Sequence, residues 1–117
     1  MSRLAVISLV IGSLAACGSS GSGSGVTSSK KLTELDPSER EKLCSYVIDI
    51  EGGVRTQMCG NIIISVRTAA MCAMDEIAAS CTATVDNVEA CAEAVGEDLC
   101  KLPTDPACSF LLACAGN

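Results

Sequence analysis

Histidine and tryptophan are absent from this chain of 117 residues, and tyrosine and phenylalanine occur once each. Without histidine the chain lacks the commonest general base and the commonest metal ligand, so a serine nucleophile would need a lysine as its base. Without aromatic side chains it lacks the large rigid groups that fill most small cores. Basic residues are also scarce: the formal charge is −6, and it becomes −7 if residues 1–16, which include Arg3, are removed. Such a surface repels phosphate backbones and anionic membranes, which argues against a nucleic-acid partner. The one long apolar run, Leu4 to Ile11, is too short to cross a bilayer as a helix. No two cysteines stand in a C-x2-C pair, the spacing that metal sites and thiol-exchange sites use.

What is present begins with an address. A basic residue, Arg3, precedes the apolar run, and small residues follow it up to Cys17, as in a secretory signal. Leu14-Ala15-Ala16-Cys17 resembles the lipobox of bacterial lipoproteins. The resemblance implies cleavage before Cys17, a thioether diacylglycerol (with palmitate-like chains) on its sulfur, and usually a third acyl chain on the new amino group. Two or three chains anchor a protein stably where one does not. Gly18 rather than Asp follows the cysteine, which by analogy with enteric sorting favours the outer membrane of a Gram-negative cell, on its periplasmic side or at the surface. Three segments are therefore expected: signal peptide 1–16, lipidated Cys17 with a Gly/Ser tether over 17–31, and a folded domain over 32–117. The tether sequence GSSGSGSGVTSSKK has one apolar residue, Val26, and random-coil scaling gives it a span of about 20 Å.

In the domain, Asp36-Pro37-Ser38-Glu39 reads as a capping box with proline at the first helical position, opening a helix to about Glu51 that Gly52-Gly53 ends. Leu43, Val47 and Ile50 form its stripe, with Cys44 beside it. Val54–Cys59 and Ile62–Arg67 flank Gly60-Asn61 and read as a short hairpin. A continuous helix from Asn61 to Ala79 competes, but Ile62, Ile63, Ile64 and Val66 start helices poorly. Thr68 then caps a helix over about 69–79 with Met71, Met74 and Ile77 inward, and Thr84 caps one over about 85–95 that Gly96 ends. Asp105-Pro106 opens a last short helix through Phe110, Leu111 and Leu112 to Cys114. The expected fold is mainly α: a small disulfide-rich bundle of about four short helices with one hairpin after the first helix.

Once Cys17 is assigned to lipid, Cys44, Cys59, Cys72, Cys81, Cys91, Cys100, Cys108 and Cys114 remain. An even count at high density in an exported chain reads as a disulfide framework. An intact helix over 69–79 would hold Cys72 and Cys81 apart by more than the usual Cα limit of about 7 Å. If the two central helices form an antiparallel hairpin, Cys72 faces Cys91. The same sketch puts Cys81 with Cys114, Cys59 with Cys100, and Cys44 with Cys108. Acidic residues from Asp36 and Glu39 to Glu97 and Asp98 lack EF-hand spacing and read as solvated faces and helix N-terminal charges.

Cys81-Thr82-Ala83-Thr84-Val85…Val88-Glu89-Ala90-Cys91, then Asp98-Leu99-Cys100, then Pro106-Ala107-Cys108…Leu111…Cys114 resembles the small cysteine-rich lipoproteins of myxobacteria and related deltaproteobacteria. Those proteins also begin with a lipobox and a Gly/Ser spacer. The resemblance is strongest over roughly the last 40 residues and looser where Thr68-Ala69-Ala70-Met71-Cys72 replaces a more polar segment. It implies a scaffold and an address and brings no activity with it. The expectation is a non-catalytic envelope protein with no cofactor beyond its lipid. It would contact the membrane through that anchor and bind an envelope or extracellular protein or glycan. The alternative is a small inhibitor or an accessory subunit of an exported enzyme.

Overall fold

The computed structural model describes residues 23–116. Helix α1 (Pro37–Ile50) is followed by strands β1 (Arg55–Cys59) and β2 (Ile62–Val66), then by helices α2 (Ala69–Ala73), α3 (Val85–Val95) and α4 (Phe110–Cys114). Short 3-10 turns stand at Leu32–Glu34, Leu99–Lys101 and Pro106–Cys108. The fold is thus small, mainly helical and disulfide-rich, with an antiparallel hairpin after the first helix.

Local chemistry explains most element boundaries. The Asp36 carboxylate accepts from Glu39 N–H at 2.8 Å while the Glu39 carboxylate accepts from Asp36 N–H at 3.1 Å, closing the reciprocal cap of α1. In the hairpin, Cys59 lies opposite Ile62, so the reversal is made by Gly60 and Asn61 alone. Gly60 has φ +68, a conformation that a side chain would resist. Arg55, Gln57 and Cys59 share the inner face with Val66, Ile64 and Ile62; Met58 and Ile63 pair on the outer face and are exposed.

Two small clusters form the core. The first joins Val26, Leu32, Leu35 and Leu43 to Ala83, Val85 and the sulfurs of Cys81 and Cys114; the second joins Val66, Val95 and Leu99 to Cys91 and Cys108. Phe110, the chain's single phenylalanine, packs against both.

The expected tether needs correction. Its residues 18–22 lie outside those described, but from Gly23 to Lys31 the chain belongs to the domain. Val26 is only 2% exposed and sits in the first cluster. Ser24 N–H donates to the buried Glu89 carboxylate at 3.1 Å. The carbonyls of Ser28 and Lys30 accept from Asp86 and Val85 N–H, both at 2.9 Å. Those donors belong to the first turn of α3 and have no partner within the helix, so the Gly/Ser segment completes a helix terminus that would otherwise need water. Composition alone reads as coil because the partners of this segment lie about sixty residues downstream.

The helix expected over 69–79 ends at Ala73. Beyond it the chain turns and becomes extended, so that Ile77 bridges Ala115 and Ala78 N–H donates to the Cys114 carbonyl at 3.1 Å. Pairing with the C-terminal segment outweighs local helix propensity here. The placement of Met71 and Met74 is also corrected: they are 51% and 80% exposed, while Ile77 packs against the first cluster.

The disulfides are Cys44–Cys72, Cys59–Cys100, Cys81–Cys114 and Cys91–Cys108, with Cα separations of 6.0, 5.4, 4.6 and 4.8 Å. Two expected pairs, Cys59–Cys100 and Cys81–Cys114, are present. The other two, Cys72–Cys91 and Cys44–Cys108, are exchanged. The cause is the packing of α2, which lies against α1 rather than back along α3. Cys72 therefore meets Cys44 on α1, and Cys91 on α3 meets Cys108 in the turn that packs on that helix.

Peptide mapping without reduction is expected to recover Cys44–Cys72 and Cys91–Cys108 linked peptides; a Cys72–Cys91 link would refute this packing of α2. Replacing Val26 by Ala should cost about 2 kcal/mol in chemical denaturation, whereas a flexible tether residue would cost nothing measurable.

Candidate functional site

Among the described residues, the surface around α1 carries a concavity with an apolar wall. Leu43 and Val47 of α1, Val88 of α3 and Phe110 and Leu111 of α4 line a cavity of about 450 Å³. The disulfides Cys44–Cys72 and Cys81–Cys114 lie in the same wall through Cys44, Cys72 and Cys114. A second cavity of about 270 Å³ shares Val47, Cys72, Val88, Phe110 and Leu111 with the first, so the two form one trough. Its existence follows from how these elements are made. Helices α2 and α4 are five residues each, too short to cover the full length of the fourteen-residue α1.

The polar lining is sparse. Arg40, Asp75 and Glu76 contribute to the larger cavity. Asp75 is neutralised by Arg67, which ion-pairs with its carboxylate. Arg40 makes no ion pair among the described residues. Its Nη1 donates to the Asp75 carbonyl over a long 3.4 Å, and its Nε is sealed from solvent with no hydrogen-bond partner. An unpartnered buried donor of this kind costs about 1–3 kcal/mol. In the smaller cavity Glu51 is buried at the end of α1. Burial pushes its carboxyl above the ordinary glutamate range, and the nearby Arg55 guanidinium pulls part of the way back. Arg55 itself donates through Nε to the Glu51 carbonyl at 2.9 Å and through Nη2 to the Glu97 carbonyl, tying the ends of α1 and α3 together.

No family model, curated protein or solved structure matches this chain. The site therefore has to be judged on its own chemistry.

The eight cysteines from Cys44 to Cys114 are all consumed in cross-links, which leaves none of them as a thiolate nucleophile or ligand. Among the described residues no three cysteine or carboxylate side chains converge as a metal-binding set. Cys17 lies outside the described residues. The carboxylates do structural work: Glu39 binds the Lys30 ammonium at 2.8 Å, which lowers the Glu39 pKa and raises that of Lys30, chiefly through the hydrogen bond they share. Glu93 accepts from the Tyr46 hydroxyl at 2.8 Å, and burial together with that acceptor pushes the tyrosine up to about 12. Gln57, on the inner face of the hairpin, holds the turn after α3 by accepting from Leu99 N–H at 2.8 Å, beside the Cys59–Cys100 link.

The trough was not foreseen from sequence. In the sequence its wall residues are distributed over separate helices, and the one usable sign is that Arg40 lies one helical turn before Cys44 on the same face.

Glu51 supplies a pH test. Its folded-state pKa is raised, so the folded chain carries no penalty at low pH and loses stability as pH rises through that value. Glu51→Gln should therefore stabilise the protein by about 1 kcal/mol at pH 7 and by nothing measurable below about pH 4, read by urea denaturation at both pH values. An equal gain at both would show that desolvation of the charge is not the cause.

Proposed function

We propose that this chain is an exported lipoprotein, held to the cell envelope by acyl chains on Cys17, whose disulfide-stapled domain is a non-catalytic binding module. The observation that carries this reading is the allocation of sulfur. Four disulfides use eight of nine cysteines, and the remaining one is Cys17, which stands in the lipobox-like Leu14-Ala15-Ala16-Cys17. Disulfides persist in oxidising compartments, so the staples and the signal-like N-terminus agree on export. The Gly18 that follows Cys17 favours an outer-membrane location in a Gram-negative cell. The trough supports binding over catalysis, since its wall is mostly apolar and its charged lining is sparse: Arg40, Asp75 and Glu76 in the larger cavity, Glu51 and Arg67 in the smaller.

A second reading, a small inhibitor or accessory subunit of an exported enzyme, is favoured by the hairpin. Its tip at Gly60 and Asn61 is exposed, and Met58, Ile62 and Ile63 around it are 71%, 50% and 64% exposed. Apolar side chains held on a cross-linked projection are suited to entering a protein partner.

Intact-mass measurement of the native protein without reduction tests the main reading. The expected species starts at Cys17, carries two or three acyl chains and has no free thiol, and Cys17→Ser should be found without acyl chains. An unmodified Cys17, or several reactive thiols in natively isolated protein, would overturn it.

A further inference from the structure

The geometry points to the trough between α1 and α4 as a binding site for a single-chain amphiphile with an anionic head, specifically a free medium- or long-chain fatty acid whose carboxylate is taken by Arg40. The inference deepens the reading of the domain as a binding module, and it does not require Cys17 to be lipidated.

Three observations converge on it. The first is shape and composition: a cavity of about 450 Å³ walled by Leu43, Val47, Val88, Phe110 and Leu111, adjoined by one of about 270 Å³ that shares the last four of these. Pockets in the range of about 300–1,000 Å³ accept small organic ligands, and an apolar wall selects a hydrocarbon body. The second is charge. The chain as a whole is acidic, yet the cavity holds a guanidinium that makes no ion pair among the described residues. Of the two carboxylates in the same lining, Asp75 is already paired with Arg67 and offers Arg40 only its carbonyl, and Glu76 makes no ion pair with it. The third is hydrogen bonding. Arg40 Nη1 is engaged at 3.4 Å, while Nε has no partner. The Nε–Nη2 edge is the one that receives a carboxylate side-on with two parallel hydrogen bonds. Nε is sealed from solvent as the side chain now lies, so the guanidinium must turn outward to meet the ligand. The long contact to Asp75 is the one hydrogen bond it gives up.

A neutral lipid would leave the guanidinium unpaired. A cationic amphiphile would be drawn by the net charge of the chain but repelled at Arg40 itself.

Laurate, dodecanol and dodecyltrimethylammonium, which share a tail and differ in head charge, are titrated below their micelle concentrations into the full chain carrying Cys17→Ser. This variant cannot present a covalent acyl chain of its own. Binding is followed by calorimetry and by displacement of a dansyl fatty acid. The expected result is one laurate per chain, at least tenfold tighter than dodecanol. Arg40→Gln should remove that preference while leaving dodecanol binding unchanged, and a far-UV spectrum like the parent's and a full set of disulfides would show the variant folded. If Arg40→Gln fails to fold, Leu111→Trp serves instead, since it narrows the trough and should weaken laurate at least tenfold. No laurate binding, equal affinity for laurate and dodecanol, a preference for the cationic detergent, or several equivalents spread over the exposed hairpin would each overturn the proposal. Because the protein tested bears no lipid, failure here leaves the lipoprotein reading intact, and failure of acylation at Cys17 leaves this one intact.

Discussion

The constraint on which the structure depends is the substitution of sulfur cross-links for large apolar side chains. Among the described residues the largest side chains that are almost wholly removed from solvent are Leu99, Val26, Val85 and Val95, and no aromatic joins them. A core of such residues removes little apolar area from water, and a domain of this size needs further support. Each of the two apolar clusters contains one complete disulfide, Cys81–Cys114 in the first and Cys91–Cys108 in the second. Here the sulfurs serve as buried packing as well as links. The other two disulfides act at the periphery: Cys44–Cys72 clips α2 to α1, and Cys59–Cys100 clips the hairpin to the turn after α3. Their loops span 28 and 41 residues, and in the chain-entropy picture closures of that length restrict the unfolded state by about 3–4 kcal/mol each.

Helix α3 is the member around which these pieces assemble, and its N-terminus shows how distant segments complete one another. Thr84 and Asn87 cap it reciprocally, with Thr84 N–H donating to Asn87 Oδ1 at 2.9 Å. That leaves the first two backbone donors of the helix, which the Ser28 and Lys30 carbonyls accept. Glycine and serine suit this task because they let the chain run close along a helix end without side chains in the way. At Gly23 even a methyl group would stand 2.5 Å from the Tyr46 ring. A sequence that looks like a spacer is here a run of turns held against a helix end.

Signals confined to a few neighbouring residues could be read directly from the chain. The cap at Asp36, the two-residue turn at Gly60-Asn61, the start of α3 at Thr84 and the break at Gly96 all depend on side chains within four positions of the backbone they satisfy. Signals that depend on a partner far along the chain could not. Met74 begins a stretch that has helical composition but leaves the helix because the Cys114 carbonyl accepts from Ala78 N–H and Gly116 N–H donates to the Glu76 carbonyl. Gly116 lies so near Glu76 that a Cβ there would stand 2.7 Å from the Glu76 carbonyl oxygen, which pins the two segments at backbone distance. The disulfide exchange has the same origin. A long second helix would turn Cys72 toward Cys91, but the helix ends at Ala73 and packs on α1, which brings Cys72 to Cys44. The trough was illegible for a related reason, since it is the space that short elements leave uncovered.

That uncovered space raises the question of why the walls do not close upon it. In an ordinary core, neighbours relax toward a void and recover part of the lost contact, and the cost of the void depends on how far they can move. Here α2 is fixed to α1 by Cys44–Cys72, and the end of α4 is fixed to the segment before α3 by Cys81–Cys114. Both links lie in the wall of the trough. Phe110 cannot swing inward to fill it without leaving one of the two clusters that it bridges. The staples that make a light core stable therefore also hold an apolar trough open beside it. A void that cannot collapse gains the most when something else fills it.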